Sequence, residues 1–225
     1  MRSVVVWLAG ALAVSACAQN ANNLNTVFID RYAHPNPTLA EFSECHGFSC
    51  TAKSRVSLTP QEWRRVTVIF SPRARDARAE RKQIARAVAE MQKLVGAKTG
   101  TAVHQWTHKN MLILPNLGDP TQLDCIDEAV NTWTYMTLME RGHLFRFHRV
   151  ANLSGAYGAD VNWRNTAVLQ EIGGGYYAID PSLVDFGVTP PVIPLETWLG
   201  SWPPDLSATS ETAPSSGRKH PSARS

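Results

Sequence analysis

Long apolar runs are scarce in this 225-residue chain. The main one opens it: MRSVVVWLAGALAVSAC has one Arg, an apolar run from Val4 to about Val14, then small residues. That run is too short to span a bilayer and stay there, and it has the anatomy of a secretory signal. Charge excess is equally small. The 22 Lys and Arg against 19 Asp and Glu leave +3, too scattered to call for nucleic acid. The most basic stretch, RARDARAERK at 73–82, contains acids and a helical pattern, so it reads as a solvated face. Cysteine is sparse too. Four residues without a C-x-x-C pair exclude the thioredoxin-type redox motif, and no second cysteine pair supports a zinc site. The GGG at 173–175 lacks the strand–loop–helix context of a phosphate-binding loop. Neither a metal nor a cofactor is expected.

What is present starts at the signal's end. Val14-Ser15-Ala16-Cys17 resembles a bacterial lipobox, in which the Cys becomes the lipidated first residue. The other reading is ordinary cleavage after Ala18, with Ala16-Cys17-Ala18 as the A-x-A site. Either route takes the chain out of the cytoplasm. If Cys17 is lipidated, the N-terminal lipid makes the membrane a partner. Ala18 in place of Asp then favours the outer membrane, facing the periplasm. In an oxidising compartment Cys45 and Cys50, in ECHGFSC, read as a local disulfide. A metal site with His46 as third ligand and a thiol redox role are the weaker alternatives. Cys125 is left alone, and a lone thiol there is a hazard unless it is buried or used.

Residues 1–17 are thus read as a lipoprotein-type signal and 18–25 as a tether. Residues 26–202 form one folded domain, and the Ser/Pro/Ala-rich 203–225 is a tail too polar to order. Thr59-Pro60-Gln61-Glu62 has the pattern of a capping box that opens a short helix. Val66–Phe70 follows as a β-branched strand. Ile84, Val88, Met91 and Val95 stripe a helix over 75–95 that stops at Gly96, and 111–114 (MLIL) is a short buried run. Asp124 caps a helix running to about Arg141, with Ile126, Val130 and Trp133 inward and Gly142 as its stop. Leu144–Val150 alternates as a strand, and Thr166–Glu171 and Tyr176–Asp180 flank the glycines as a hairpin. A mainly helical part at 26–115, then a helix and an antiparallel meander, make an α+β fold.

Cys125 would sit in the first turn of its helix, where unpaired N–H groups and the macrodipole favour a thiolate and can donate to an oxyanion. Asp124 and Asp127 oppose that charge. A Cys opening a helix, a meander behind it and Asp180 before Pro181 together resemble the transglutaminase-like, papain-related cysteine hydrolase core over 122–187. More narrowly, CHGFSC, LDCIDEAVNT, NTAVLQE and YAID resemble a group of proteobacterial envelope lipoproteins over about 45–200. The resemblance implies Cys125 as nucleophile and Asp180 as the carboxylate that orients a His. It also makes Gln122 a candidate oxyanion donor, although its spacing from Cys125 differs from that of papain-like enzymes. The family's His belongs just before or at the start of Asn165-Thr166-Ala167-Val168, and Arg164 is the best match to that position. Arginine cannot serve as a general base near neutral pH. His148 is then a displaced base, with His143 a weaker one, each set against the plainer reading of a sheet-surface His.

The readings are therefore two: an exported, lipid-anchored thiol acyl-transfer enzyme (peptidase, amidase or transglutaminase-like) acting on an envelope protein or peptide, or a non-catalytic envelope module descended from that fold.

Overall fold

Asp124 does open the central helix. In the computed structural model, which describes residues 24–103, 119–157 and 163–200, its carboxylate accepts from Ile126 N–H and Asp127 N–H. Asp127 accepts from Asp124 N–H in return, which completes a capping box. In chain order the elements are β1 (Leu24–Asn25), α1 (Val27–Tyr32), β2 (Phe42–His46), β3 (Ala52–Val56), α2 (Pro60–Thr67) and α3 (Ala77–Thr99). After them come α4 (Cys125–Arg141), β4 (His148–Tyr157), β5 (Trp163–Glu171), β6 (Tyr176–Ile179), β7 (Val192–Pro194) and α5 (Leu195–Gly200). The class is α+β. Five antiparallel strands run in the order β1-β4-β5-β6-β7, and β2 pairs with β3 in a separate two-stranded sheet.

The large sheet is covered on both faces. Strand alternation sends Leu153, Ala167, Leu169, Tyr177 and Ile179 into one core with Val130, Met136 and Met139 of α4 and Ile84, Val88 and Met91 of α3. The intervening Val168, Ala178 and Ile193 form a second cluster with Leu195 and Trp198 of α5. Of the inward face expected for α4, Val130 is buried while Ile126 and Trp133 are only half-buried.

Four expectations need correction. Val66–Phe70 is not a strand: Val66 and Thr67 end α2, and Val68–Phe70 is a 3-10 turn. Helical spacing buries Val66 and Phe70 and leaves Val68 exposed, so packing overrides β propensity. Helix α3 runs past Gly96 and stops at Gly100, whose φ is +77. Gly96 is needed for closeness, because a Cβ there would lie 2.5 Å from the Phe186 ring. Strand β4 starts at His148, since the N–H groups of Arg146 and Phe147 donate to Glu80 of α3, both at 2.8 Å, rather than to a ladder. Besides its helices, the part before residue 104 holds β2 and β3. Leu24 and Asn25, placed in the tether by sequence, pair with Ser154 and Leu153.

The stretch read as a signal with Cys17, the MLIL run and the stretch read as a tail lie outside the described residues. Among those described, no helix is long and apolar enough to cross a membrane.

Candidate functional site around Cys125

The disulfide loop builds the start of α4. Cys45 and Cys50 are bonded to each other. Between them Gly47, Phe48 and Ser49, and then Cys50 itself, all have positive φ, from +53 to +80. Three consecutive non-glycine residues in the left-handed region need external support. It comes from α4: Ser49 N–H donates to Asp124 Oδ2 at 2.9 Å, and Cys50 N–H to Asp127 Oδ1 at 2.6 Å. One turn further along, Asn131 accepts from Cys45 N–H at 2.7 Å and donates to its carbonyl at 2.8 Å. The helix and the loop therefore hold each other in place.

Cys125 occupies the first helical position, half-buried, against β5. Asn165 Nδ2 lies 3.9 Å from its sulfur. Burial, and then the Asp124 carboxylate, push the thiol up to about 12; Asn165 opposes the shift and Asp180 adds to it. Burial and two anions thus outweigh the helix N-terminus, which alone would lower it.

Adjacent residues on a strand face opposite ways, so Asn165 and Arg164 cannot both address the sulfur. Asn165 shares parity with Ala167 and Leu169 on the α4 face, and Arg164 with Val168 on the other. Arg164 is buried, and its guanidinium acts on Asp180, partly offsetting the rise that burial imposes on that carboxyl. Asp180 caps the 3-10 turn Pro181–Leu183. Its Oδ1 accepts from Ser182 N–H at 3.1 Å and Ser182 Oγ at 2.6 Å, and its Oδ2 from Trp198 Nε1 at 2.9 Å. Both oxygens are committed, and among the described residues neither holds an imidazole.

The His148 expectation is overturned by register. His148 pairs with Glu171, whereas Arg164 pairs with Ala156 and Asn165 with Gly155. Seven residues of strand separate His148 from Gly155, about 23 Å at ~3.3 Å per residue. Its imidazole is buried in another cluster, with Nδ1 2.9 Å from Glu80 Oε1 and Nε2 3.3 Å from Arg81 Nη1. His143 lies in the turn beyond the far end of α4, with a φ of +55. His104 and His108 fall outside the described residues. Gln122 is buried, and its Nε2 has no hydrogen-bond partner. Its carbonyl accepts from Gly47 N–H at 2.8 Å, which ties the approach to α4 to the disulfide loop.

Cys45, Cys50 and Asp127 bring possible ligand atoms within 4.8 Å of one another, but both sulfurs are in the disulfide. His46 turns elsewhere, with Nδ1 on the Pro120 carbonyl at 2.5 Å and Nε2 on Ser54 Oγ at 2.9 Å. Sequence reasoning missed Asn165, Asn131 and Glu80. Strand parity was the available signal for the first; the other two act across 86 and 68 residues of chain.

The buried acids set a pH response. Asp127 is pushed up to about 8 by burial and by Asp124. Glu44 is held well above the usual carboxylate range by burial, which the Tyr135 hydroxyl partly opposes and Glu128 and Asp127 reinforce. Acids raised in the fold stabilise it below their unfolded values and lose that contribution as pH rises through the folded ones, from about 4 to 8 for Asp127. Glu80 goes the other way. Burial would raise it, but His148 and the Phe147 and Arg146 N–H groups hold it below its ordinary value, so its share is lost as pH falls. Thermal denaturation should therefore give its highest Tm near pH 5, with a decline toward pH 8. A Tm that climbs steadily between pH 5 and 8 would contradict this assignment.

Comparison with protein families, curated proteins and solved structures found no match to this chain.

Proposed function

We propose that this chain is an exported, lipid-anchored envelope protein descended from the transglutaminase-like fold. Its core serves as a non-catalytic binding or structural module. The observation that carries the reading is the commitment of Asp180: its oxygens accept from Ser182 and from Trp198, so the carboxylate that would orient a base serves the packing of α5. A thiol hydrolase needs a base within hydrogen-bond reach to take the proton and return it to the leaving group. On β5 the side chain that faces the sulfur is Asn165, whose amide can do neither.

The thiol acyl-transfer reading, with Cys125 as nucleophile acting on an envelope peptide amide, retains one observation. Gln122 keeps a buried, unsatisfied N–H group three residues upstream, which an oxyanion would satisfy.

The pH dependence of Cys125 alkylation, followed by mass spectrometry, separates the two. For an inert thiol the labelling rate should rise about tenfold per pH unit from 7 to 10 without a plateau. A plateau with a midpoint below about 8.5 would mean a stabilised thiolate, and the catalytic reading would replace ours.

A further inference from the structure

The loop closed by Cys45 and Cys50 does more than join β2 to β3, because it runs alongside the segment that carries Cys125. Four of its residues bond that segment in chain order. His46 Nδ1 lies 2.5 Å from the Pro120 carbonyl, and Gly47 N–H donates to the Gln122 carbonyl at 2.8 Å. Ser49 N–H then donates to Asp124 Oδ2 at 2.9 Å, and Cys50 N–H to Asp127 Oδ1 at 2.6 Å. Cys125 lies inside the clamped stretch, between Asp124 and Asp127. The clamp holds an unfavourable backbone. Phe48, Ser49 and Cys50 have φ of +69, +53 and +55, a region that residues with a Cβ rarely occupy; Gly47, at +80, adopts it without steric cost. The bond itself closes a short loop, and short loops take less freedom from the unfolded chain than long ones. A bridge that gains little by closure and holds three residues in an unfavourable region is of the labile kind.

We propose that the Cys45–Cys50 bond is a redox latch on Cys125. Closed, it holds residues 120–127 against the loop and keeps the thiol packed on β5; opened by a dithiol, it releases that stretch and lets the thiol react. The latch presupposes the reading of Cys125 as an inert thiol, and limits that inertness to the closed state. A thiolate of the dithiol attacks Cys50 Sγ, since Cys50 is 4% exposed against 1% for Cys45 and is followed by exposed Thr51. The Cys45–Cys50 bond breaks, and Cys45 leaves as a thiolate that takes a proton. The second thiol of the reductant then attacks the mixed disulfide and releases Cys50. Two electrons and two protons thus pass to the pair, while the dithiol closes its own disulfide. With the bond open, Phe48 to Cys50 can return to ordinary φ values, which turns the Ser49 and Cys50 N–H groups away from Asp124 and Asp127. Helix α4 keeps its start, because Asp124 and Asp127 still cap one another. What goes is the hold on residues 120–124, which lead into Cys125. The four clamp bonds all end on residues 120–127, so none draws on the β4–β5 ladder.

The full chain would be reduced with dithiothreitol, desalted without oxygen and given iodoacetamide at about pH 7, near which thiolate supply limits the reaction. Labelling of Cys125 would be read by peptide mass spectrometry, and backbone protection by hydrogen exchange. Reduction should speed Cys125 labelling about 30-fold, the gain expected when a thiol pushed up to about 12 returns to its ordinary value of about 9. The amides of Ser49 and Cys50 should lose protection while the paired amides of β4 and β5 keep theirs. Reoxidation should restore the slow rate. Unchanged Cys125 labelling after complete reduction of Cys45 and Cys50 would overturn the latch and leave the inert-thiol reading standing. Loss of protection across β4 and β5 as well would overturn it too, since the bond would then staple the whole domain. Fast labelling with a midpoint below about 8.5 before any reduction would sink the inert-thiol reading and the latch with it.

Discussion

Asn165→His is expected to make Cys125 reactive, and Arg164→His is not. The imidazole in the first variant would arise where an amide nitrogen now lies 3.9 Å from the sulfur. A protonated imidazole favours the thiolate, countering the burial and the Asp124 charge that push the thiol up to about 12. Recovering about three pKa units would multiply the thiolate fraction about a thousandfold. Because a less basic thiolate is a poorer nucleophile, the net gain in alkylation rate at pH 7 is about 30-fold. Asn165 is fully buried, so the larger ring brings an overpacking cost of about 1–3 kcal/mol, to be checked by urea unfolding. In Arg164→His the new ring would lie on the Asp180 side of the sheet, and labelling should stay at the unmodified level. Equal gains in both variants, or a gain in Arg164→His alone, would mean that the β5 register is misassigned.

Glu80→Ala should be the most damaging single substitution away from Cys125. The Glu80 carboxylate takes the N–H groups of Arg146 and Phe147 at 2.8 Å each and lies 2.9 Å from His148 Nδ1. Removing it leaves two backbone donors and an imidazole unsatisfied in the interior, each worth about 1–3 kcal/mol but not additive. A total of about 3–5 kcal/mol is expected, a large part of the 5–15 kcal/mol typical of a domain. Arg81 stands next in the same cluster, 2.5 Å from Glu171 and over the Tyr177 ring at 4.0 Å, so the damage should spread to the β5–β6 end of the sheet. Glu80→Gln keeps one acceptor oxygen and should cost about half as much. A urea midpoint for Glu80→Ala within 1 kcal/mol of the unmodified chain would mean that these bonds add little.

Features written in a few adjacent residues were legible in the sequence. The capping box at Thr59, the N-cap at Asp124, the Cys45–Cys50 bridge and the hairpin around the three glycines depend on spacings of two to six residues, and each forms as read. Features that depend on parity or on a distant partner were not. Choosing Arg164 over Asn165 is a one-residue decision, and on a strand one residue is the difference between two faces. His148 was misplaced because a glutamate 68 residues earlier takes the N–H groups of Arg146 and Phe147 and so sets where β4 begins.

The first strand bears on how the domain would carry a load. Tension applied at Leu24 passes first into a ladder of two residue pairs on β4, then into α1, a six-residue helix with no buried residue. Neither has the packing that secures α4 between β2 and the main sheet. In a chain held by the N-terminal anchor proposed above, this segment would therefore be a mechanical fuse: under strain the chain would pay out from Leu24 to about Tyr32 while the disulfide-stapled interior kept its shape, lengthening the leash before the domain itself gave way.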